Sequence, residues 1–97
     1  MSDPRNEVVY DKDFLGDVRK LSAVFQERLA ELIEILRDDP FDPRLHTKPL
    51  SAPLAGLFAF RIMRDYRAGF KFRASHTIQL IAIDRRDRIY QRLQRKR

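Results

Sequence analysis

A chain of 97 residues, 43% hydrophobic and 35% charged, is long enough to bury one shared core and too apolar to be disordered, so a single domain over residues 1–97 is expected. Twenty Lys and Arg against fourteen Asp and Glu leave a net charge of +6, which favours polyanions such as nucleic acid, or an acidic protein that masks the charge, as partners. The absence of cysteine excludes a disulfide framework and a thiolate metal site and suits a reducing cytoplasm.

Fifteen of the twenty basic residues are arginine, whose planar fork grips phosphate or carboxylate through two hydrogen bonds, so the charge reads as recognition more than solvation. Met1–Phe14 is charged throughout and no later apolar stretch approaches bilayer length, so neither a signal peptide nor a membrane protein is expected. Met1–Asn6 reads as a frayed leader, and the VVY within Glu7–Tyr10 as an edge strand. Asp11 or Asp13 can cap a helix with Phe14, Val18 and Leu21 on one face, weakened slightly by Gly16. Ser22 starts a second helix over residues 23–38, in which Phe25, Leu29, Leu32, Ile33 and Leu36 form an apolar stripe that reads as core. So short a break between the two predicts an antiparallel helical hairpin.

Asp38-Asp39-Pro40 ends that helix, and Pro43, Pro49 and Pro53 predict an irregular loop over Pro40–Pro53. A period of two then takes over. Phe58, Phe60 and Ile62, followed by Tyr66, Ala68, Phe70 and Phe72, predict two half-buried strands of a hairpin, and burying that face sends Arg61, Arg67, Lys71 and Arg73 out the other. The connecting IMRD lacks Gly and Pro, which predicts a longer link than a two-residue turn. After the polar turn Ala74-Ser75-His76, the near-continuous apolar run Thr77–Ile83 suits a central or doubly covered strand. Asp84–Arg88 is a charged break, and Ile89–Arg97 a short basic helix or a loose tail. The expected fold is α+β: an N-terminal strand and helical hairpin packed on an antiparallel sheet of about four strands, whose other face is open and basic.

Glycine-rich phosphate loops, a Ser/His/Asp pattern and histidine metal signatures are absent, so neither metal nor cofactor is expected. His76 reads as a solvated turn residue. His46 lies with Lys48 in the loop that feeds the basic strands, where it is either an acid–base group or a plain loop residue. Leaving the third long strand, Arg86 and Tyr90 can reach the face that carries Arg61 and Arg67, or else form a solvated turn with Tyr90 as a core plug. Converged guanidiniums can stabilise the charge of a pentacoordinate phosphate without a metal, and a phenol can stack on a base or share in proton transfer.

These pieces in this order, a strand, two helices ending in DDPFDPR, the run KPLSAPLAGLFAFRIMRDYRAGFKF, a strand and IDRRDRIY, resemble the RelE/ParE superfamily of type II toxin–antitoxin toxins over about Val8 to Leu93. The resemblance rests on the lead-in to the sheet, the Tyr66-Arg67 pair and the closing Arg86-x-x-x-Tyr90; Ala52 and Asp84 stand where glycines are usual. It implies the same α+β fold and, for the RelE-like branch, a ribosome-dependent mRNA endonuclease that inhibits translation. Arg67, Arg86 and Tyr90 match catalytic positions of that branch, and Arg61 is the basic residue nearest its lysines. Lys48, His46, Lys71, Arg73 and Arg85 are the expected substrate-binding set, with Arg61, Lys48 or His46 assisting proton transfer. The implied partners are a cognate antitoxin and mRNA on the ribosome. The alternative is a ParE-like inhibitor that binds DNA gyrase and has no catalysis of its own.

Overall fold

The computed structural model describes residues 5–96. Strand β1 (Glu7–Tyr10) leads into helices α1 (Lys12–Arg19) and α2 (Ala23–Asp38); a 3-10 turn (Pro43–Leu45) follows, then β2 (Lys48–Pro49), β3 (Leu57–Ile62), β4 (Tyr66–Ala74), β5 (Thr77–Arg85) and α3 (Ile89–Arg95). The sheet has five strands in the order β1-β5-β4-β3-β2, and β1 runs parallel to β5 while every other pair is antiparallel. It is therefore mixed and one strand wider than the sequence suggests. The extra strand is β2, which lies within the expected irregular loop: Lys48 and Pro49 pair with Ala59 and Phe58 at the edge, where the missing N–H of proline does least harm.

Both helix starts follow the capping rules. The Asp11 side chain accepts from Asp13 N–H and the Ser22 side chain from Phe25 N–H, so Asp11, not Asp13, is the α1 cap. At the other end Asp39, ahead of Pro40, is extended (φ −157°, ψ 105°), as a residue before proline prefers. Gln26 closes the corner between the helices by donating to the Val18 and Leu21 carbonyls. The leader is only partly outside the described residues: Met1–Pro4 lie there, but Arg5 pairs with Glu34 and Asp38, and Asn6 N–H donates to Arg37 O. Arg5 and Asn6 are thus tied to the end of α2, not frayed.

On one face of the sheet, Phe60, Ile62, Phe70, Ile78 and Leu80 pack with Phe14, Leu32 and Leu36 of the helices, all fully buried or nearly so. Phe58 stacks on its cross-strand partner Phe70 at 5.4 Å between ring centroids, and Phe25 of α2 meets Tyr66 edge to face at 5.0 Å. The other face is not open along its whole length. Ile81, Ala82, Ile89, Leu93 and Leu54 form a second buried cluster there, with α3 as its roof. A bulge makes it possible: Phe70 pairs with Leu80 and Gly69 with Ala82, so Ile81 is the extra residue and turns to the α3 side. Gly69 supplies the seat, since a Cβ there would come within 2.6 Å of the Leu93 side chain.

Candidate functional site

Parity along β3 and β4 decides which side chains share the site. Phe58, Phe60 and Ile62 stand opposite Phe70, Ala68 and Tyr66 on the helix side, which leaves Leu57, Ala59 and Arg61 opposite Lys71, Gly69 and Arg67 on the α3 side. Arg61 and Arg67 are thus direct cross-strand partners at the hairpin end of the sheet. The connection there is three residues long, Met63-Arg64-Asp65, with Met63 in the left-handed region (φ 51°). Asp65 O accepts from Arg86 N–H at 2.8 Å, which fastens the β5–α3 turn to the hairpin tip.

Arg67 is half-buried and Arg61 likewise. One Arg67 amino group donates to the Tyr66 and Arg64 carbonyls at 3.1 and 3.3 Å. Burial lowers the Arg67 pKa from its ordinary value, and the charges of Arg61 and Arg86 push it the same way, while Tyr90 and Asp65 oppose them. Arg61 and Arg67 are cross-strand partners, the Arg86 N–H bond to Asp65 O holds the β5–α3 turn at the same hairpin end, and Tyr90 opens α3 just beyond it, so these four residues are brought to one end of the sheet. Among the described residues none of the three arginines forms an ion pair with a carboxylate. A cluster of under-neutralised guanidiniums held by the backbone is built to receive an anion.

Tyr90 reaches the site because α3 is clamped. Arg92 Nη1 lies 2.9 Å from Asp17 Oδ2 and 3.4 Å from Asp84 Oδ2, and donates to Ile83 O at 2.8 Å. Asp17 Oδ2 in turn accepts from Ile83 N–H at 2.8 Å. Since β1 pairs with β5 only as far as Leu80, this ion pair satisfies the edge of β5 that β1 leaves uncovered. Lys96, one turn further, pairs with Asp11 and Asp13. Tyr90 itself is 37% exposed and so is not a core plug.

The expected binding residues divide. Lys48 pairs with Ala59, shares the site face, and lines a cleft of about 410 Å³ with Leu50, Ser51, Pro53, Tyr90 and Gln94. His46 ends the 3-10 turn in the left-handed conformation (φ 52°) and lines a separate concavity with Arg28, Arg44, Arg61 and Arg64. Lys71 shares the face but lies four residues along β4 from Arg67, about 13 Å away at roughly 3.3 Å per residue. Arg73 is the extra residue of a second bulge, six positions along and about 20 Å from Arg67. Arg85 stands opposite Tyr66, on the helix side, and pairs with Asp87 at 3.9 Å. Arg73 and Arg85 therefore do not join the group. His76 is exposed in the β4–β5 turn, as expected. The sequence reading missed Arg64, at the hairpin tip, and Gln94, whose only signal was its place four residues after Tyr90.

No protein-family model and no curated protein matches the chain. Solved structures do. The chain is 26% identical to a chain of the toxin–antitoxin complex RelBE2 from Mycobacterium tuberculosis, with a TM-score of 0.71 over 84% of this chain and 99% of that one. A YoeB/ParE toxin from Agrobacterium tumefaciens matches at 20% identity and TM-score 0.73 over 81% of this chain and 96% of the other. A chain of the archaeal RelE–RelB complex from Pyrococcus horikoshii OT3 matches at 20% and 0.73 over 87% and 98%. The last two speak for the fold alone. With the first, and with a five-stranded sheet and three helices in the order described, the chain belongs to the RelE/ParE toxin superfamily.

Proposed function

We propose that this chain is the toxin of a type II toxin–antitoxin pair and that it cleaves mRNA on the ribosome, with a cognate antitoxin as its inhibitor. The observation that carries the nuclease reading is the gathering of Arg61, Arg67 and Arg86 with Tyr90 at one end of the sheet, where none of the three arginines forms an ion pair with a carboxylate among the described residues. The proposed reaction is attack of a ribose 2′-oxygen on the adjacent phosphorus. A base takes the 2′-hydroxyl proton, the new P–O bond forms, the bond to the 5′-oxygen breaks, and that oxygen takes up a proton, leaving a cyclic phosphate and a 5′-hydroxyl.

Negative charge grows on the phosphate oxygens as phosphorus becomes five-coordinate, and fixed guanidiniums that need no rearrangement stabilise that charge more than the ground state. Arg67 and Arg86 are assigned this role. Tyr90 orients the flanking nucleotide. Of the proton-transfer candidates, Lys48 is favoured because it lines the same cleft as Tyr90, whereas His46 lines the concavity beyond Arg61.

The test is induction of the chain in growing cells with separate pulse labelling of protein and DNA, and mapping of mRNA ends. The expected result is an early halt in translation with new 5′-hydroxyl ends, and relief of growth inhibition by Arg67→Ala and by Arg86→Ala. Intact mRNA with DNA damage signalling would instead identify a gyrase inhibitor.

A further inference from the structure

The cleft between the Lys48–Leu54 segment and α3 has walls that phosphate chemistry does not require. Tyr90, Leu50 and Pro53 are flat or apolar, and Ser51 and Gln94 add a hydroxyl and an amide to the same lining. Tyr90 and Gln94 are four residues apart on α3, so they lie one above the other on the same helix face. Both are exposed, and the Gln94 amide is open to solvent beside the cleft. At about 410 Å³ the space is of the size that small planar ligands fill, roughly 300 Å³ and upward. Lys48 in its lining pairs with Ala59, two residues before Arg61 on the same face of β3, and Tyr90 follows Arg86 by four residues, so the cleft borders the face that carries the arginine group.

A slot with an aromatic wall, aliphatic sides and a few hydrogen-bonding groups matches a nucleobase splayed from a single strand, which proteins hold by stacking and read at its edge. An acidic peptide would call for cations along the slot, and Lys48 is the only one in its lining. The amide of glutamine presents a donor beside an acceptor, the complement of an edge such as N6/N7 of adenine. Resting on the nuclease reading, we propose that this cleft is the subsite for one base flanking the scissile phosphate, stacked on Tyr90 and read by Gln94 with Ser51, so that Gln94 sets the base preference of cleavage.

The experiment expresses the full chain, Gln94→Leu, Gln94→Glu and Arg67→Ala in growing cells and tallies the four bases at each position flanking the mapped 5′-hydroxyl ends. Because the readout is a ratio among bases, it is independent of the total amount of cutting. The parent chain is expected to favour one base at one flanking position by roughly 5- to 100-fold, the range a good bidentate contact gives. Gln94→Leu flattens that preference, and Gln94→Glu, which only accepts, shifts it toward bases that present an amino group. Arg67→Ala lowers the number of cuts without altering the ratio among those that remain. A parent chain that cuts with no base preference, or a Gln94→Leu variant with the parent's ratio, overturns the assignment while leaving the nuclease reading intact. A parent chain that makes no cuts overturns both.

Discussion

Arg61 and Arg67 face each other as a cross-strand pair on β3 and β4, two like charges in a position where sheets ordinarily place opposite or neutral partners. Nothing among the described ion pairs relieves them, so the fold tolerates repulsion that a bound phosphate would remove. Replacing Arg67 with Gln should therefore separate stability from activity. The expected gain in stability is about 0.2–1 kcal/mol from lost repulsion, readable as a rise of a few degrees in thermal midpoint for a domain of this size, while cleavage falls by roughly 100-fold or more, as when one charge-stabilising donor is removed. A variant that is both less stable and fully active would contradict the assignment of this pair to the site.

The clamp on α3 makes a different prediction. Asp17 and Arg92 are largely shielded, with side chains 12% and 27% exposed, and between them they satisfy both the N–H and the carbonyl of Ile83. Asp17→Ala strands the Ile83 N–H and leaves Arg92 with the Ile83 carbonyl and, as its carboxylate, the more distant Asp84 at 3.4 Å. The expected loss is about 2 kcal/mol, in the range for hydrogen bonds to a charged group, measured as a lower urea midpoint with unchanged slope. An unchanged midpoint would mean that the pair contributes nothing to holding α3.

Those two features differ in how far the sequence disclosed them. The facing of Arg61 and Arg67 is legible from the alternation of Phe58, Phe60, Phe70 and Phe72, because a strand with one buried face has no freedom in where its other residues point. The bounds of α2 are equally legible, since Ser22 and the residue before Pro40 act through local backbone geometry. The clamp is not legible. Asp17 and Arg92 are 75 positions apart, each looks like an ordinary surface charge, and their meeting depends on where β1 stops pairing with β5. The second apolar face was legible only in part: the near-continuous apolar run TIQLIAI allowed for cover on both faces, but the bulge at Ile81 breaks the period of two and left no sign that α3 supplies the second cover. A second bulge, at Arg73, and its distance along β4 removed Arg73 from the site, and the single step of parity from Asp84 to Arg85 put Arg85 on the helix side.

Gly69 tests how tightly α3 sits. A Cβ at this position would lie 2.6 and 2.8 Å from the two Leu93 methyl groups, closer than carbon atoms approach, and Leu93 is buried with little room to turn. Gly69→Ala is expected to cost about 1–3 kcal/mol, the usual range for overpacking, and to reduce cleavage by lifting Tyr90 from its place beside Arg67. Trimming the obstacle with Leu93→Val should return part of both losses in the Gly69→Ala background, so a double-mutant cycle on urea midpoints should show a favourable coupling. Strictly additive effects would indicate that α3 does not rest on this glycine.

Acid titration should reveal the turn that carries His46. Hydrogen bonds from the Arg44 side chain and backbone lower the Asp42 pKa from 3.8 to about 2. A carboxylate with a depressed folded-state pKa contributes stability that is present above its ordinary value and lost as the pH falls toward the folded one, so the contribution should fade between about pH 4 and pH 2. Asp13 and Glu34, lowered by hydrogen bonds from Lys96 and Arg5, act in the same direction. Lys96 is raised by its hydrogen bond to Asp13, so its part is present at neutral pH and is lost only as the pH climbs past 10.5 toward the folded value. Carboxyl NMR titration should place Asp42 near 2 in the parent and return it toward 3.8 in Arg44→Ala; a parent midpoint near 3.8 would show that the Arg44 bonds do not hold in solution.

The salt dependence of RNA binding should count the cations that form the site. Lys48, Arg61, Arg67 and Arg86 lie on the α3 face or its rim without ion-paired carboxylates among the described residues, whereas Arg85 faces the helices and already has Asp87. Each cation that displaces a counterion from a single strand contributes about 0.7 to the slope of log K against log salt, so up to four such contacts give a slope of roughly −2 to −3. Arg67→Gln and Lys48→Gln should each reduce the slope by about 0.7, and the two together by about twice that, measured by fluorescence anisotropy on a short single-stranded RNA across a salt series. Arg85→Gln is the control, because its guanidinium points away from the site and its loss removes charge without removing a contact. If Arg85→Gln lowers the slope as much as Arg67→Gln does, the RNA is responding to net charge alone, and the sorting of arginines by strand parity has no bearing on binding.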